Sequence, residues 1–205
     1  MNNKGQGSVI PKRWKLNIRP RELPFRRSLA RASVALIYRK SEDAGMELLF
    51  IQRARKEGDP WSGDMAFPGG RMQPEDATPR AAAVRETLEE TGVDLESNGH
   101  FQARLSDLLT RQHSRWRPMV VTPYVYEWRG PQTVSPNHEV EKMVWIPVDY
   151  LAAQENQGEI LWHTRLGTLK LPCCRYQDYC IWGLSYSMLQ ELLALEDKLQ
   201  ALPGK

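Results

Sequence analysis

Between Gly69 and Val93 the chain runs from a glycine-rich turn into a stretch, GGRMQPEDATPRAAAVRETLEETGV, that can fold in few ways. Thr78 followed by Pro79 supplies an N-cap and a first-turn proline, and Gly92 stands where a helix ends in a left-handed cap. The helix so bounded is short, and it carries Arg85, Glu86, Glu89 and Glu90. Glu86, Glu89 and Glu90 stand at i, i+3 and i+4, so their carboxylates share one face. Ala81, Val84 and Leu88 fall nearly opposite and are expected to form the core-facing stripe.

Three adjacent carboxylates repel one another, and near a helix C-terminus they also oppose the helix dipole. A divalent cation held between them removes that penalty. Oxygen-only ligands on a rigid helix suit Mg²⁺ or Mn²⁺, completed by substrate phosphates and water. The alternative is a solvated acidic helix face, the common fate of a charge run. The bounded helix, with its acids gathered in the last two turns, favours a metal site for phosphate chemistry.

These residues resemble the signature of the Nudix hydrolases, G-x5-E-x7-R-E-U-x-E-E-x-G-U, where U is aliphatic. Gly70 opens the box, and Arg85 to Val93 match its second half, with Thr87 at a position that prefers an aliphatic residue. The early acid is Asp76 rather than Glu, and eight residues rather than seven separate it from Arg85. This one-longer box, preceded by Phe67-Pro68-Gly69-Gly70, resembles the coenzyme A diphosphatase branch of the family. Leu48-Leu49 to Arg53-Ala54, Val121-Thr122-Pro123-Tyr124-Val125, Pro136-Asn137-His138-Glu139-Val140, Trp145-Ile146-Pro147 and Trp182-Gly183-Leu184-Ser185 resemble further segments of that branch. The likeness covers about residues 31 to 195. In the segment after Ala54 the chain is one residue longer than the branch, and Gly58 or Asp59 falls where the branch has an arginine. Arg55 or Lys56 is then the available replacement.

The resemblance implies an α/β/α sandwich with a central mixed sheet and a C-terminal helix, residues 31–200, behind a basic extension at residues 1–30. It implies hydrolysis of a P–O–P bridge by a metal-activated water, with Mg²⁺ or Mn²⁺ held by Glu86, Glu89, Glu90 and the Gly70 carbonyl. Arg85 is expected to orient the carboxylates. Glu86, or else Glu139 and then Glu141 from a downstream loop, is the candidate general base. Arg53, Arg55 and Arg71 are candidates for holding diphosphate. The implied substrate is a small nucleotide, coenzyme A or acyl-CoA, cleaved to 3′,5′-ADP and (acyl-)4′-phosphopantetheine. Another Nudix substrate (ADP-ribose, a dinucleotide, a nucleoside triphosphate) and a non-catalytic nucleotide-binding module remain open alternatives.

Periodicity is consistent with that architecture. Ser33–Arg39 and Glu47–Arg53 alternate as strands, and further strands are expected near 101–106, 119–128 and 140–146. A short helix is expected at Asp149–Gln154, a hairpin around Gly167, and a final helix over Tyr179–Leu199. Strands on either side of a central helix suit a mixed sheet between helical layers.

Charge is uneven. Residues 1–40 hold 11 Lys or Arg against the single acid Glu22. Such an arm can bind RNA or anionic membrane. Without an accompanying RNA-binding signature, the plainer reading is a solubilising extension or one whose arginines line the site mouth, so a nucleic-acid partner is not expected. No apolar run is long enough to span a bilayer, and no apolar leader core is present, so a cytoplasmic, membrane-free enzyme is expected. Cys173, Cys174 and Cys180 fit no zinc spacing and are read as reduced thiols. His100, His113, His138 and His163 are scattered. Trp61, Trp116 and Trp182 can pack in the core or stack on an adenine. The oligomeric state is not legible in the sequence.

Overall fold

The computed structural model describes residues 20–57, 61–111, 117–131, 135–164 and 167–200. Residues 1–19 of the basic arm, with Gly58, Asp59, His113 and Trp116, lie outside these residues.

The alternation along β1 (Ala30–Ser41) sets the layering. Ala35 and Ile37 point to one side, into a buried cluster with Leu49, Tyr124 and Tyr126 and with Ala83 of α1 (Pro79–Thr91). Leu36 and Tyr38 point to the other side, packing with Leu48, Phe50 and the Met188, Leu189 and Leu192 of α4 (Gly183–Gln200). A two-residue period with apolar side chains on both faces is what a strand covered on both sides requires. Each fully buried Leu, Ile or Phe here contributes about 1.5–3 kcal/mol.

Among the described residues, the main sheet has eight strands. β1 runs parallel to β7 (Pro118–Trp128), with Ala32 opposite Val121 and Tyr38 opposite Glu127. β7 also pairs with β5 (Gly99–Arg104) and β6 (Leu108–Arg111), both antiparallel. On the other side of β1 lies β2 (Gly45–Arg53), which in turn pairs with β3 (Met65–Ala66) and β8 (Val140–Pro147). β4 (Gly69–Arg71) pairs with the first half of β1. α2 (Leu95–Asn98) lies between α1 and β5, and α3 (Val148–Ala152) follows β8. A second, antiparallel sheet holds β9 (Gln157–Thr164), β10 (Gly167–Tyr176) and β11 (Tyr179–Trp182). The result is the expected mixed sheet between helical layers.

Two elements of the fold differ from the sequence expectation. Of Ala81, Val84 and Leu88, only Val84 packs on the Ala35–Ile37 cluster: Leu88 is 48% exposed, and the buried residues of α1 are Ala82, Ala83, Thr87, Glu90 and Thr91. Small side chains let the helix lie close to β1, so size outweighs hydrophobicity in choosing the face. The final helix starts at Gly183, and Tyr179–Trp182 pairs with β10 as a strand. Those four residues are aromatic, Cys or β-branched, which suits a pleated edge better than a helical turn.

The first described residues are pinned to the domain. The Leu23 N–H and the Arg26 guanidinium donate to Asp107 at 3.0 and 3.1 Å, and Asp107 N–H donates to the Arg21 carbonyl at 2.9 Å. Asp107 is fully buried, also accepting from Thr122 Oγ1 at 2.7 Å and from Arg104.

Candidate active site

The neighbour of β1 changes along its length. Near its end Tyr38 to Ser41 face β2, whereas Ala32 to Val34 face β4. Between them the Pro68 carbonyl accepts from Ala35 N–H at 2.8 Å. Carboxylates of α1, from one layer, thereby reach a cavity that Ala32, Val34 and Val121 line from the other. This cavity of about 410 Å³ is where most of the expected site residues meet.

Helix α1 is capped as expected. Thr78 Oγ1 accepts from Ala81 N–H at 3.1 Å, and Gly92 adopts φ 72° while its N–H donates to the Leu88 carbonyl at 2.9 Å. The rigid helix presents Glu86 and Glu90 to the cavity. Glu90 is only 5% exposed, and its Oε2 accepts from Gly69 N–H at 2.8 Å. Burial, reinforced by the charges of Glu86 and Glu139, raises its pKa to about 7, against the opposing pull of the Gly69 N–H and Arg53. Glu86 is also raised by burial, with Arg85 pulling the other way. Its carboxylate lies over Gly70: a Cβ at that position would come 2.5 Å from Glu86 Cδ, so a larger residue there would displace the carboxylate from this position.

Arg85 organises the acids. Its Nε and one terminal nitrogen donate to the two oxygens of Asp76 at 3.0 and 2.9 Å. The other terminal nitrogen donates to Glu86 Oε1 at 2.9 Å and Glu89 Oε2 at 3.1 Å. The Arg71 carbonyl accepts a further bond at 3.2 Å. The Arg85 hydrogen bonds hold Asp76 below the usual carboxylate range, helped by Gln73 N–H.

Glu139 reaches the cavity from the loop before β8. Asn137 N–H donates to the Glu90 carbonyl at 2.9 Å, Asn137 Oδ1 accepts from Glu139 N–H at 2.8 Å, and the Glu139 carbonyl accepts from Ala54 N–H at 2.8 Å. Glu141 is exposed and does not line the cavity. Arg53, at the β2–β8 register shift, and Arg71, at the end of β4, both line it.

Two more of the expected residues sit apart. Glu89 turns its half-exposed carboxylate to Arg85 and not to the cavity. Arg55 lines a neighbouring recess with Lys56, Ser62 and Asp64, and Asp64 borders both spaces. The structure adds Thr110, Arg111, Asp64 and the Gly183–Ser185 start of α4 to the cavity wall. Arg111 escaped the sequence reading because the strand there was expected near 101–106, leaving Leu108–Arg111 unassigned. Trp61 and Trp182 line the cavity as well. His100, His138 and His163 do not.

Among the described residues, no three of His, Cys, Asp and Glu group as a ready-made metal cage. A Mg²⁺-type ion does not need one, since it commonly keeps its waters and takes one or two carboxylates plus substrate phosphates. Glu86 and Glu90 fit that demand: both are oxygen donors, both are desolvated enough to gain from a neighbouring cation, and Gly70 leaves space beside Glu86.

Residues 29–164 match the NUDIX domain. The chain therefore belongs to the Nudix family, and the class so defined is that of hydrolases acting on diphosphate bonds. It is 29% identical over 189 residues to the human mitochondrial coenzyme A diphosphatase NUDT8, covering 85% of this chain and 77% of that protein. It is 33% identical over 116 residues, 55% of this chain, to an uncharacterized protein of Schizosaccharomyces pombe, and spans 35% of that relative's length. Among solved structures, a Caenorhabditis elegans Ap4A hydrolase in a binary complex shares the fold at TM-score 0.55 and 18% identity, covering 83% of this chain and 99% of that one. A MutT/nudix family protein from Enterococcus faecalis shares it at TM-score 0.55 and 19% identity, over 89% of this chain and 68% of that one.

Proposed function

We propose that the protein hydrolyses the diphosphate bridge of coenzyme A or an acyl-CoA, releasing 3′,5′-ADP and 4′-phosphopantetheine or its acyl derivative. The observation that carries the reaction is the meeting of Glu86, Glu90 and Glu139 with Arg53 and Arg71 around one cavity. Support for the substrate comes from the one-longer box and from the likeness to a coenzyme A diphosphatase over most of both chains.

Glu86 and Glu90 would hold Mg²⁺ or Mn²⁺, with the Gly70 carbonyl alongside, and Glu89 would join them on turning from Arg85. A bound divalent ion polarises phosphoryl oxygens and lowers the pKa of water. Arg53 and Arg71 neutralise diphosphate charge and fix its orientation, a task suited to a planar guanidinium. Glu139, exposed and outside the Arg85 network, is the better placed proton acceptor for the attacking water. Glu86 is committed to Arg85. Arg85 holds the carboxylates in position while Asp76 holds Arg85.

No helix among the described residues is long and apolar enough to cross a membrane. Cys173, Cys174 and Cys180 are free thiols, and the compartment proposed for the enzyme, the cytoplasm, is one that keeps thiols reduced. A panel of coenzyme A, acyl-CoA, NADH, ADP-ribose and deoxynucleoside triphosphates tests the assignment by kcat/KM. Coenzyme A or an acyl-CoA is expected to rank first; a first rank for ADP-ribose or a triphosphate would move the chain to another Nudix activity.

A further inference from the structure

We propose that the aromatic base of the bound nucleotide stacks on the indole of Trp182, with Asp64 and Trp162 as positioning residues. The proposal rests on the reading that this cavity holds a nucleotide derivative.

Trp182 ends β11, where pairing with Cys173 of β10 fixes its backbone. Its side chain lines the same cavity as Glu86 and Glu90 but comes from a different sheet. Two contacts set the ring orientation. Trp162 of β9 packs against it with ring centroids 4.6 Å apart and planes at 39°. Its Nε1 donates to Asp64 Oδ1 at 3.1 Å, across 118 residues of sequence. The one polar atom of the indole is thus satisfied, and the ring is held before any ligand arrives. A rigid aromatic surface with its N–H already paired suits stacking, which every base can accept through its π-face.

Two further observations point the same way. Trp61, 38% exposed, also lines the cavity, from the loop before β3. Asp64 borders both this cavity and the recess of about 640 Å³ that holds Arg55 and Lys56. The Trp182–Asp64 contact therefore lies on the wall between a base site and a recess of mixed charge, where Arg55 and Lys56 stand beside Glu57, Asp64 and Asp178. Phosphate-directed groups come from α1, β2 and β4, and the base-directed ones from β11 and the β2–β3 loop.

The test uses full-length protein without divalent ions and titrates 3′,5′-ADP, AMP and inorganic pyrophosphate by calorimetry. Trp182→Leu is expected to weaken both nucleotides by on the order of tenfold or more while leaving pyrophosphate affinity within about twofold. Trp182→Phe, which keeps an aromatic face but no N–H for Asp64, should recover part of the loss. Asp64→Ala should weaken the nucleotides, and Asp64→Asn, which keeps the acceptor oxygen, should recover them. Unchanged nucleotide affinity in Trp182→Leu would overturn the proposal. So would a parallel loss of pyrophosphate affinity and thermal stability, which marks a packing role only. A Trp182-dependent AMP affinity in a protein that leaves coenzyme A intact supports the base site and removes the substrate assignment. Coenzyme A turnover with Trp182-independent nucleotide binding removes the base site alone.

Discussion

Arg85 and Asp76 form a two-point pair, Nε to Oδ1 at 3.0 Å and a terminal nitrogen to Oδ2 at 2.9 Å. Asp76 is the early acid of the box, set one residue farther from Arg85 than the common spacing. The longer loop still closes onto the guanidinium, because Gln73 N–H donates to Asp76 Oδ2 at 2.7 Å and folds the turn beneath it. The substitution Asp76→Asn is expected to lower stability by about 1–3 kcal/mol, since one strong charge-assisted bond is lost beside a half-buried cation. Activity should fall as well, because Arg85 also orients Glu86 and Glu89. Chemical denaturation together with steady-state kinetics checks both; wild-type values in both would remove Asp76 from the account.

Glu90→Gln is expected to reduce turnover by about 10²-fold or more, the scale of losing a principal electrostatic group. Glutamine keeps an oxygen for the Gly69 N–H, so folding should be unharmed or improved. Near-normal turnover at saturating Mg²⁺ and Mn²⁺ would contradict the assignment.

The raised pKa of Glu90 has a measurable consequence for the metal-free protein. Burial lifts it from 4.5 to about 7, so between those values the folded state binds the extra proton. Stability from this group is present below the unfolded pKa and is lost as pH rises through about 7. Thermal melts in a chelator should therefore show a fall over that window that Glu90→Gln removes. Divalent ions compete with the same proton, so the melting-temperature gain on adding Mg²⁺ should be larger near pH 8 than near about pH 5.5. An equal gain at both would argue against Glu90 as a ligand.

Much of the fold was legible because its signals were local. The Thr78–Pro79 start and Gly92 stop bound α1 within a residue of where it lies, and the alternation in β1 and β2 marked both strands. What stayed hidden depended on tertiary contacts. Leu88 looked like core and is exposed, because the close approach of α1 to β1 selects Ala83 and Thr87 instead. Tyr179–Trp182 looked like the first turn of a helix until β10 was there to pair with it. The box named Glu86, Glu90 and Gly70, and nearby arginines suggested Arg53 and Arg71. Arg111 and Asp64 carry no signal of their own, and only folding brings them to the wall.

The basic arm divides at its anchor. Removing residues 1–19 is expected to leave hydrolysis intact, and the full chain should bind RNA or DNA weakly. Arg26→Ala should destabilise the protein, because Arg26 is one of the donors to the fully buried Asp107 carboxylate. A steep loss of nucleic-acid affinity between low and physiological salt, dependent on residues 1–19, would show that the arm is a nucleic-acid contact.

A 3′-phosphate on the adenosine should matter. Arg55 and Lys56, its candidate partners, line the recess next to the cavity together with Glu57, Asp64 and Asp178. Coenzyme A is expected to exceed 3′-dephospho-coenzyme A in kcat/KM by on the order of tenfold or more, the scale of one or two charge-assisted bonds. Charge reversal at Arg55 or Lys56 should narrow that gap, and an unaltered gap would place the recognition elsewhere.

The most direct measurement is the identity of the products formed from coenzyme A with Mg²⁺ or Mn²⁺, separated by chromatography and identified by mass. Equal amounts of 3′,5′-ADP and 4′-phosphopantetheine, formed by wild type and reduced by about 10²-fold or more in Glu90→Gln, are the predicted result. Intact coenzyme A after prolonged incubation, or cleavage at a bond other than the diphosphate bridge, would contradict it.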